Sequence, residues 1–391
     1  MNQTIKMRKV IILGNNLYNT LGLIRSVGEK GFPVVLLLEP VAKSMCYVRH
    51  SKYIKNVHYL TSIEQGLEIL LTVYGNESDK PIVLCGSDPA ASLLDRHYDE
   101  LKDNFYLFNA GEQGKINWFL DKINTFPIAA ECGLSIIKTW KISDIYHLPN
   151  DIVLPCLIKG SNSTSSTKGD MYICQDCKEV ERNLHEGVEY LIQEYIQKEY
   201  ELDIVGLSYN QGNNVFVPAV VRKIRDEIHR QSVFIRLDDI REYPEFDVSI
   251  ISKFLKSTGY EGIFSIEVIY CKGHFYFLEI NMRNDGCGWL YTAAGINYPY
   301  LWTLYSANKL NQDVLKSIRF KNHLYLMHED DIYNMLEGKI GFWQWLKDFH
   351  QSDAFFIMNR KDPLPFVFST LIHIRQFVKL ILRKIFGLKL R

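Results

Sequence analysis

Gly262-Ile-Phe-Ser-Ile-Glu267-Val-Ile-Tyr-Cys-Lys-Gly-His-Phe-Tyr-Phe-Leu-Glu279-Ile-Asn281-Met-Arg283-Asn-Asp-Gly-Cys-Gly288 is the stretch whose reading decides the fold. Ile263 to Tyr270 and Phe275 to Met282 are dense in β-branched and aromatic residues. Cys271-Lys272-Gly273-His274 between them offers a short turn with Gly273 free to take positive φ. The pattern predicts an antiparallel hairpin. Side chains two apart share a face, so Glu279, Asn281 and Arg283 line up at about 7 Å per step. Counting back through the turn places Glu267 opposite, or nearly opposite, Glu279. Two carboxylates and an amide oxygen then meet beside a guanidinium. Carboxylates that close raise each other's pKa unless a cation sits between them, and hard oxygen ligands with room left for water and phosphate suit Mg²⁺. Glu267, Glu279 and Asn281 are therefore candidate metal ligands, and Arg283 is placed to hold a phosphoryl oxygen. A solvated strand face could carry the same residues with no ligand at all.

At 391 residues the chain is long enough for two or three domains. Its 47% hydrophobic content is that of a soluble globular protein, and it has no apolar run of membrane-spanning length. Lys+Arg and Asp+Glu both total 45, which gives no case for a nucleic-acid binder. The scattered cysteines and the lack of a secretory leader fit a reducing cytoplasm. Cys174-x-x-Cys177 is the sole close cysteine pair, and without a second pair or a histidine cluster it makes a poor zinc site.

Toward the N-terminus, Lys9 to Leu13 reads as a strand, Gly14-Asn15-Asn16 as a turn, Leu17 to Lys30 as a helix closed by Gly31, and Val34 to Leu38 as a second strand. This is the βαβ opening of a doubly wound sheet. A dinucleotide-binding turn of the form G-x-G-x-x-G needs three glycines, and this one has a single glycine. Pro81 to Cys85 is a further strand, and Gly86-Ser87-Asp88-Pro89 follows at its carboxyl end, where such sheets form ligand crevices. Ser87 and Asp88 are candidates to orient a substrate, with a helix N-cap as the alternative.

Gly111 to Gly133 is helix-rich and contains Asp121-Lys122. The strand Val153 to Lys159 runs into Gly160-Ser-Asn-Ser-Thr-Ser-Ser-Thr-Lys-Gly169, which suits a flap over phosphates; a flexible linker would look similar. Val188 to Ile196 is an apolar strand whose exposed edge could meet adenine, with Glu201 beyond it for ribose hydroxyls. Leu202 to Tyr209 and Val215 to Arg222 form a hairpin across Gln211-Gly-Asn-Asn214, and Arg222, Lys223 and Arg225 put three cations at its far end, facing a polyanion in preference to solvent.

In this order the pieces resemble the ATP-grasp superfamily of carboxylate-amine ligases, in particular its D-aspartate-ligase-like and carbamoyl-phosphate-synthase-like members, over roughly residues 8 to 305. The resemblance rests on Asp121-Lys122, Leu157-Ile158-Lys159, Gln193-Glu194-Tyr195-Ile196 with Glu201, and Glu267 with Glu279-Ile280-Asn281-Met282-Arg283. It implies an α/β, Rossmann-like pre-ATP-grasp domain over 1–110. An α+β ATP-grasp domain of two subdomains follows over 111–310, with its lid at about 150–197. A helical C-terminal extension completes the chain over 311–391. It implies Lys122 and Lys159 on the phosphates of ATP, Gln193, Glu194, Tyr195 and Ile196 at the adenine hinge, and Glu201 on the ribose. It also implies one or two Mg²⁺, or Mn²⁺ in their place, on Glu267, Glu279 and Asn281. Arg283, Lys159 and Glu279 would carry catalysis. The activity implied is formation of a C–N bond between a small carboxylate and an amine through an acyl phosphate, which needs no side-chain nucleophile. The flap has Ser and Thr where many members have more glycine, and Asn284-Asp285-Gly286 stands where a variable segment is usual. Two alternatives remain open: an ATP-binding protein that has lost ligase catalysis, and a Rossmann-type NAD(P)-dependent oxidoreductase. Whether the chain acts alone or as a homodimer is also open.

The tail is a separate matter. From Pro363 onward there is no acidic residue, while Arg375, Lys379, Arg383, Lys384, Lys389 and Arg391 are basic. Over 366–391 a helix would set Arg375, Lys379 and Arg383 on one side and Leu371, Ile374, Val378, Leu382 and Ile385 on the other. Such a helix can lie on an anionic membrane, here the inner membrane surface where envelope precursors are made. It can equally dock on the body or on a partner subunit.

Overall fold

In a computed structural model residues 8–160, 171–226 and 232–386 are described, the last helix by its backbone alone from residue 376. Of the expected flap, Gly160 to Gly169, all but Gly160 lies outside the described residues, as do 387–391. The first sheet contains β1 (Val10–Gly14), β2 (Val34–Leu38), β3 (Ile54–Tyr59) and β4 (Ile82–Cys85), in the order β3-β2-β1-β4 and parallel throughout. β1, β2 and β4 are unbroken apolar runs buried along their whole length, as sheets covered on both faces require. The helix Tyr18–Gly28 returns the chain from β1 to β2. It lies so close to the turn that a Cβ on Gly14 would stand 2.5 Å from Thr20 Oγ1, which is why the turn needs that one glycine.

β5 (Ser135–Ile136) joins a larger sheet formed later in the chain. β6 (Thr139–Ile142), β7 (Cys156–Gly160), β8 (Met171–Cys174) and β9 (Tyr190–Glu194) form a separate antiparallel sheet, ordered β6-β9-β7-β8, over its own small core of Ile142, Cys156, Ile158, Val180 and Ile192. This sheet starts at residue 139, ahead of the expected 150, because the four-residue strand β6 is too short to show a period in the sequence. All eight cysteines are free; Cys174 is buried in β8 and Cys177 is exposed.

The central sheet takes β10 (Tyr200–Tyr209), β11 (Asn214–Phe216), β12 (Ala219–Asp226), β13 (Ser232–Asp239), β14 (Gly262–Cys271), β15 (His274–Asn281), β16 (Leu324–Met327) and β17 (Ala354–Phe355). The order is β17-β16-β13-β12-β10-β14-β15-β5, with β11 also on β10. Two expectations are corrected here. Val215 to Arg222 is not one strand: Pro218, which has no N–H for the ladder, divides it into β11, facing Leu207 to Tyr209, and β12, which pairs again with β10 at Glu201 to Asp203. The segment after 311 is not wholly helical either, since β16 extends the sheet from β13 and β17 extends it from β16.

The β14–β15 hairpin carries one feature that the sequence count left ambiguous. Its turn has both Lys272 and Gly273 in the left-handed region, at φ 49° and 84°. Cys271 pairs with His274 and Val268 with Phe277, yet Glu267 pairs with Glu279, because a bulge inserts Leu278 between them. Without that extra residue Glu267 would face Leu278, and Glu279 would point to the other side of the sheet.

The C-terminal segment is tied to the first sheet through a buried ion pair. Arg25 is fully buried, with its Nε 3.1 Å from Asp362 Oδ2 and its Nη2 2.7 Å from the Ile357 carbonyl. Asp362 also accepts from Ser51 Oγ and from the Lys52 amide. Removing one member of a buried pair leaves the other without compensation. Asp362→Ala should therefore destabilise the protein by about 3–5 kcal/mol in urea unfolding; a change within experimental error would contradict this placement of the segment.

Candidate active site

The directly opposed residues Asp203 on β10, Glu267 on β14 and Glu279 on β15 form an acidic row across three adjacent strands. Lysines from two other elements meet it. Asp121 caps the helix Lys122–Cys132, accepting from the Ile123 amide at 3.0 Å, and so makes Lys122 its first residue. Lys122 pairs with Glu279. Lys223 on β12 stands opposite Glu201 and bridges Glu201 and Glu267, the latter at 2.7 Å.

These contacts sort the charges. Burial works to raise Glu279, but Lys122, with Lys159 and Lys223 behind it, brings it down to about 2. Glu267 is raised to about 7 by burial, against Lys223 and with repulsion from Glu279. Lys159, on β7, is lowered to about 7 by burial and then by Lys122. Burial also raises Glu201, but Lys223 and Lys198 outweigh it, so its carboxylate sits below the usual range.

A cleft of about 630 Å³ gathers Lys122, Glu267, Glu279, Asn281 and Arg283 among its lining residues. Lys159, Glu201 and Gln193 to Ile196 do not line it. The last four belong to or follow β9, in the smaller sheet, where Gln193 donates its side-chain amide to Thr139 Oγ1 at 2.9 Å. The Glu194 amide bonds to the Lys138 carbonyl and the Tyr195 amide to the Pro155 carbonyl, so the next amide along is that of Ile196.

Arg283 holds Asp88 in a two-pronged contact through Nε and Nη2, and its Nη2 also lies 3.4 Å from Asn281 Oδ1. Of the two readings of the Ser87-Asp88 loop, the helix N-cap is observed. Ser87 caps the next helix by accepting from the Ala90 amide and donates to Glu39, while Asp88 reaches the site. The expectation of three cations facing a polyanion is corrected: Arg222 stacks on the Tyr200 ring at 4.6 Å, Arg225 pairs with Asp331 and Asp348, and only Lys223 enters the site.

Several cleft residues escaped the sequence reading. Asp203 is one, because an alternating strand hides a buried acid among apolar neighbours. Tyr18 and Phe356 are others, contributed by the first helix and the C-terminal segment with their rings 4.6 Å apart. Asp203 is 4% exposed and its carboxyl is raised well above the usual range by burial, then by Asp285 and Glu267.

Residues 130–298 match the model of the ATP-grasp domain. No curated protein matches the chain. Among solved structures it is similar to an L-amino acid ligase from Bacillus licheniformis, with 17% identity and a TM-score of 0.63 over 81% of this chain and 78% of that one. It is also similar to the biotin carboxylase domain of the Hydrogenobacter thermophilus 2-oxoglutarate carboxylase, a dimer in complex with MgADP and bicarbonate. Identity there is 18% and the TM-score 0.61, over 82% and 74% of the two chains. The N5-carboxyaminoimidazole synthetase of Staphylococcus aureus, complexed with ADP, gives 14% and 0.59 over 76% and 78%. At these identities the likeness is one of fold.

An amine lowered to about 7 is largely unprotonated, and so nucleophilic, at pH 8. Acetic anhydride labelling of Lys159, followed by peptide mass spectrometry across pH, should show a midpoint near 7. A midpoint at the ordinary lysine value of about 10.4 would contradict its burial beside Lys122.

Proposed function

Since residues 130–298 are an ATP-grasp domain, we propose that the chain is an ATP- and Mg²⁺-dependent ligase that forms a C–N bond between a carboxylate and an amine through an acyl phosphate. The observation that carries this reading is the Glu267–Glu279 pair, set face to face by the bulge, with Asn281 two residues on and Arg283 beyond it. The donor set fits Mg²⁺, or Mn²⁺ in its place. All its donors are hard oxygens, and the pair already draws two ammonium groups from other elements to compensate its charge. Bound there, the metal would neutralise charge on the transferring phosphoryl group.

The units 1–110, 111–310 and 311–391 divide the work. The first brings Asn15, Tyr18 and Asp88 to the cleft, the second Lys122 and the acidic row, and the third Phe356. Lys122 and Lys159 hold phosphate oxygens, and the approach of phosphate restores the proton that burial takes from Lys159. Glu194 and Ile196 meet adenine through their backbone, Gln193 and Tyr195 shape that hinge, and Glu201 takes the ribose. The substrate carboxylate attacks the γ-phosphoryl group, ADP leaves, and the amine then displaces phosphate to give an amide. Arg283 steadies the acyl phosphate, which exchanges with the exposed carboxylate of Asp88 on its guanidinium. Small acids and amines are the substrates, with an amino acid joined to a cell-envelope or polysaccharide precursor as the pairing we favour. The oxidoreductase alternative finds no support in the turn after β1, where Asn16 is bound to the Met45 carbonyl and Asn19 to the Gly86 carbonyl.

Phosphate release from Mg·ATP, screened against pools of amino acids and small carboxylates, tests this. Glu279→Gln should lower release by more than the roughly 10–100-fold that outer-shell changes around a metal cost. Full activity in that variant would contradict the metal assignment. ATP binding without release in any pool would favour the reading in which catalysis has been lost.

The last helix, Leu364–Phe386, supports a second element of the proposal, contact with a membrane surface from the cytoplasmic side. Phe368 stacks on His50 with ring centroids 3.4 Å apart, which docks the start of the helix, while Leu364, Val367, Leu371 and Ile374 form an exposed apolar stripe. Among the described residues no helix is long and apolar enough to cross a membrane. At about 1 kcal/mol per basic residue near an anionic surface, replacing Arg375, Lys379 and Arg383 by Gln should weaken binding to phosphatidylserine vesicles about 100-fold. Equal binding by both proteins in a sedimentation assay would contradict it.

A further inference from the structure

Next to the acidic row, and sharing Asp203 with it, the cleft carries a second cluster. Asp203, Asp285 and Cys287 each bring one ligand atom within 4.8 Å of the others, and all three line the cleft. Cys287 donates its thiol to Asp203 Oδ2 at 3.3 Å and its amide to Asp285 Oδ1 at 2.9 Å, and Ser265 donates to Asp285 Oδ2 at 3.1 Å. Asp203 Oδ1 is buried and receives nothing. The cations nearby are engaged elsewhere: Lys122 with Glu279, Lys223 with Glu201 and Glu267, and the Arg283 fork with Asp88, leaving its Nη1 3.9 Å from Asp285. This part of the cleft thus holds two acidic side chains, one with an unpartnered buried oxygen, whose ion pairing is limited to the long contact of Asp285 with Arg283. A buried acid of that kind is costly unless a ligand completes it.

We propose that Asp203 and Asp285 bind the ammonium group of the amine substrate, so that the acceptor is a molecule carrying a primary ammonium on a carbon body, such as an amino acid or an amino sugar. The inference rests on the ligase reading above and names its second substrate class. Three of the four carboxylate oxygens already accept from thiol, amide or hydroxyl donors, so the cluster is arranged around hydrogen-bond donors and the open Asp203 oxygen suits an N–H. The carbon body has a wall to lie on. A Cβ at Gly286, between Asp285 and Cys287, would stand 2.9 Å from Tyr18 Cε2, so glycine there lets the Tyr18 ring lie against the cluster, and Phe356 meets that ring edge-on.

The test uses full-length protein with Mg·ATP and a pool of the twenty amino acids, run with and without excess hydroxylamine. Hydroxylamine is uncharged at neutral pH and captures an acyl phosphate as a hydroxamate, so it needs no ammonium site. Asp203→Asn and, separately, Asp285→Asn should each lower kcat/KM for the amino-acid acceptor on the order of 30-fold or more. In Asp285→Asn, hydroxamate formation and the KM for ATP should stay at the wild-type level, and the unfolding midpoint of Asp203→Asn should be no lower than that of wild type. A parallel loss of hydroxamate in Asp285→Asn, an unchanged acceptor KM in both variants, or the loss of one bound Mn²⁺ per chain in Asp203→Asn would each overturn the assignment. A wild-type protein that forms neither hydroxamate nor phosphate would instead contradict the ligase reading itself.

Discussion

Two carboxylates held face to face on adjacent strands repel each other, and the Glu267–Glu279 pair stands only because cations from other parts of the chain reach it. Unit charges 4 Å apart at an effective dielectric of 20 interact by about 4 kcal/mol, so the arrangement is a constraint on everything around it. Lys122 arrives because Asp121 starts a helix at that point. Lys223 arrives because Pro218 ends β11 and lets β12 rejoin β10 with Lys223 opposite Glu201. The bulge at Leu278 then decides that glutamate, and not leucine, faces Glu267. Each device is local, and together they build one charged point between sheets.

The cleft is lined by residues from the first sheet's loops and helix, from the central sheet and from the segment after 311. The first sheet offers the loop after β4, which puts Asp88 on Arg283, and the helix that carries Tyr18. The segment after 311 is part of the same body: β16 and β17 extend the central sheet, and the buried Arg25–Asp362 pair fastens the segment to the first helix. Phe356, between β17 and Asp362, thereby becomes part of the cleft wall. A ligand in the cleft therefore touches residues distant in sequence.

The hairpin was legible in the sequence because β-branched and aromatic runs around Lys272-Gly273 leave little choice of structure, and β1, β2 and β4 because apolar runs beside glycine read the same way, while the half-exposed β3 was missed. Glu267, Glu279 and Asn281 could be placed to within one residue, and the remaining ambiguity was the bulge, which has no residue signature at Leu278. Side-chain partners were not legible. Arg222, Lys223 and Arg225 lie within four residues of one strand, yet they end on an aromatic ring, in the site and on two distant aspartates. β16 and β17 are too short to show a period, and Asp203 is one acid in a buried strand whose meaning appears only when Glu267 and Asp285 stand beside it.

The central claim is that the Glu267–Glu279 pair exists to hold a divalent cation on a nucleotide. Mn²⁺ binding followed by electron paramagnetic resonance, with and without a non-hydrolysable ATP analogue, tests it directly on the wild type and on a variant carrying both Glu267→Gln and Glu279→Gln. The account predicts Mn²⁺ bound with the analogue in the wild type, and an affinity weaker by more than about 100-fold in the double variant. Equal affinity in the two proteins would contradict it.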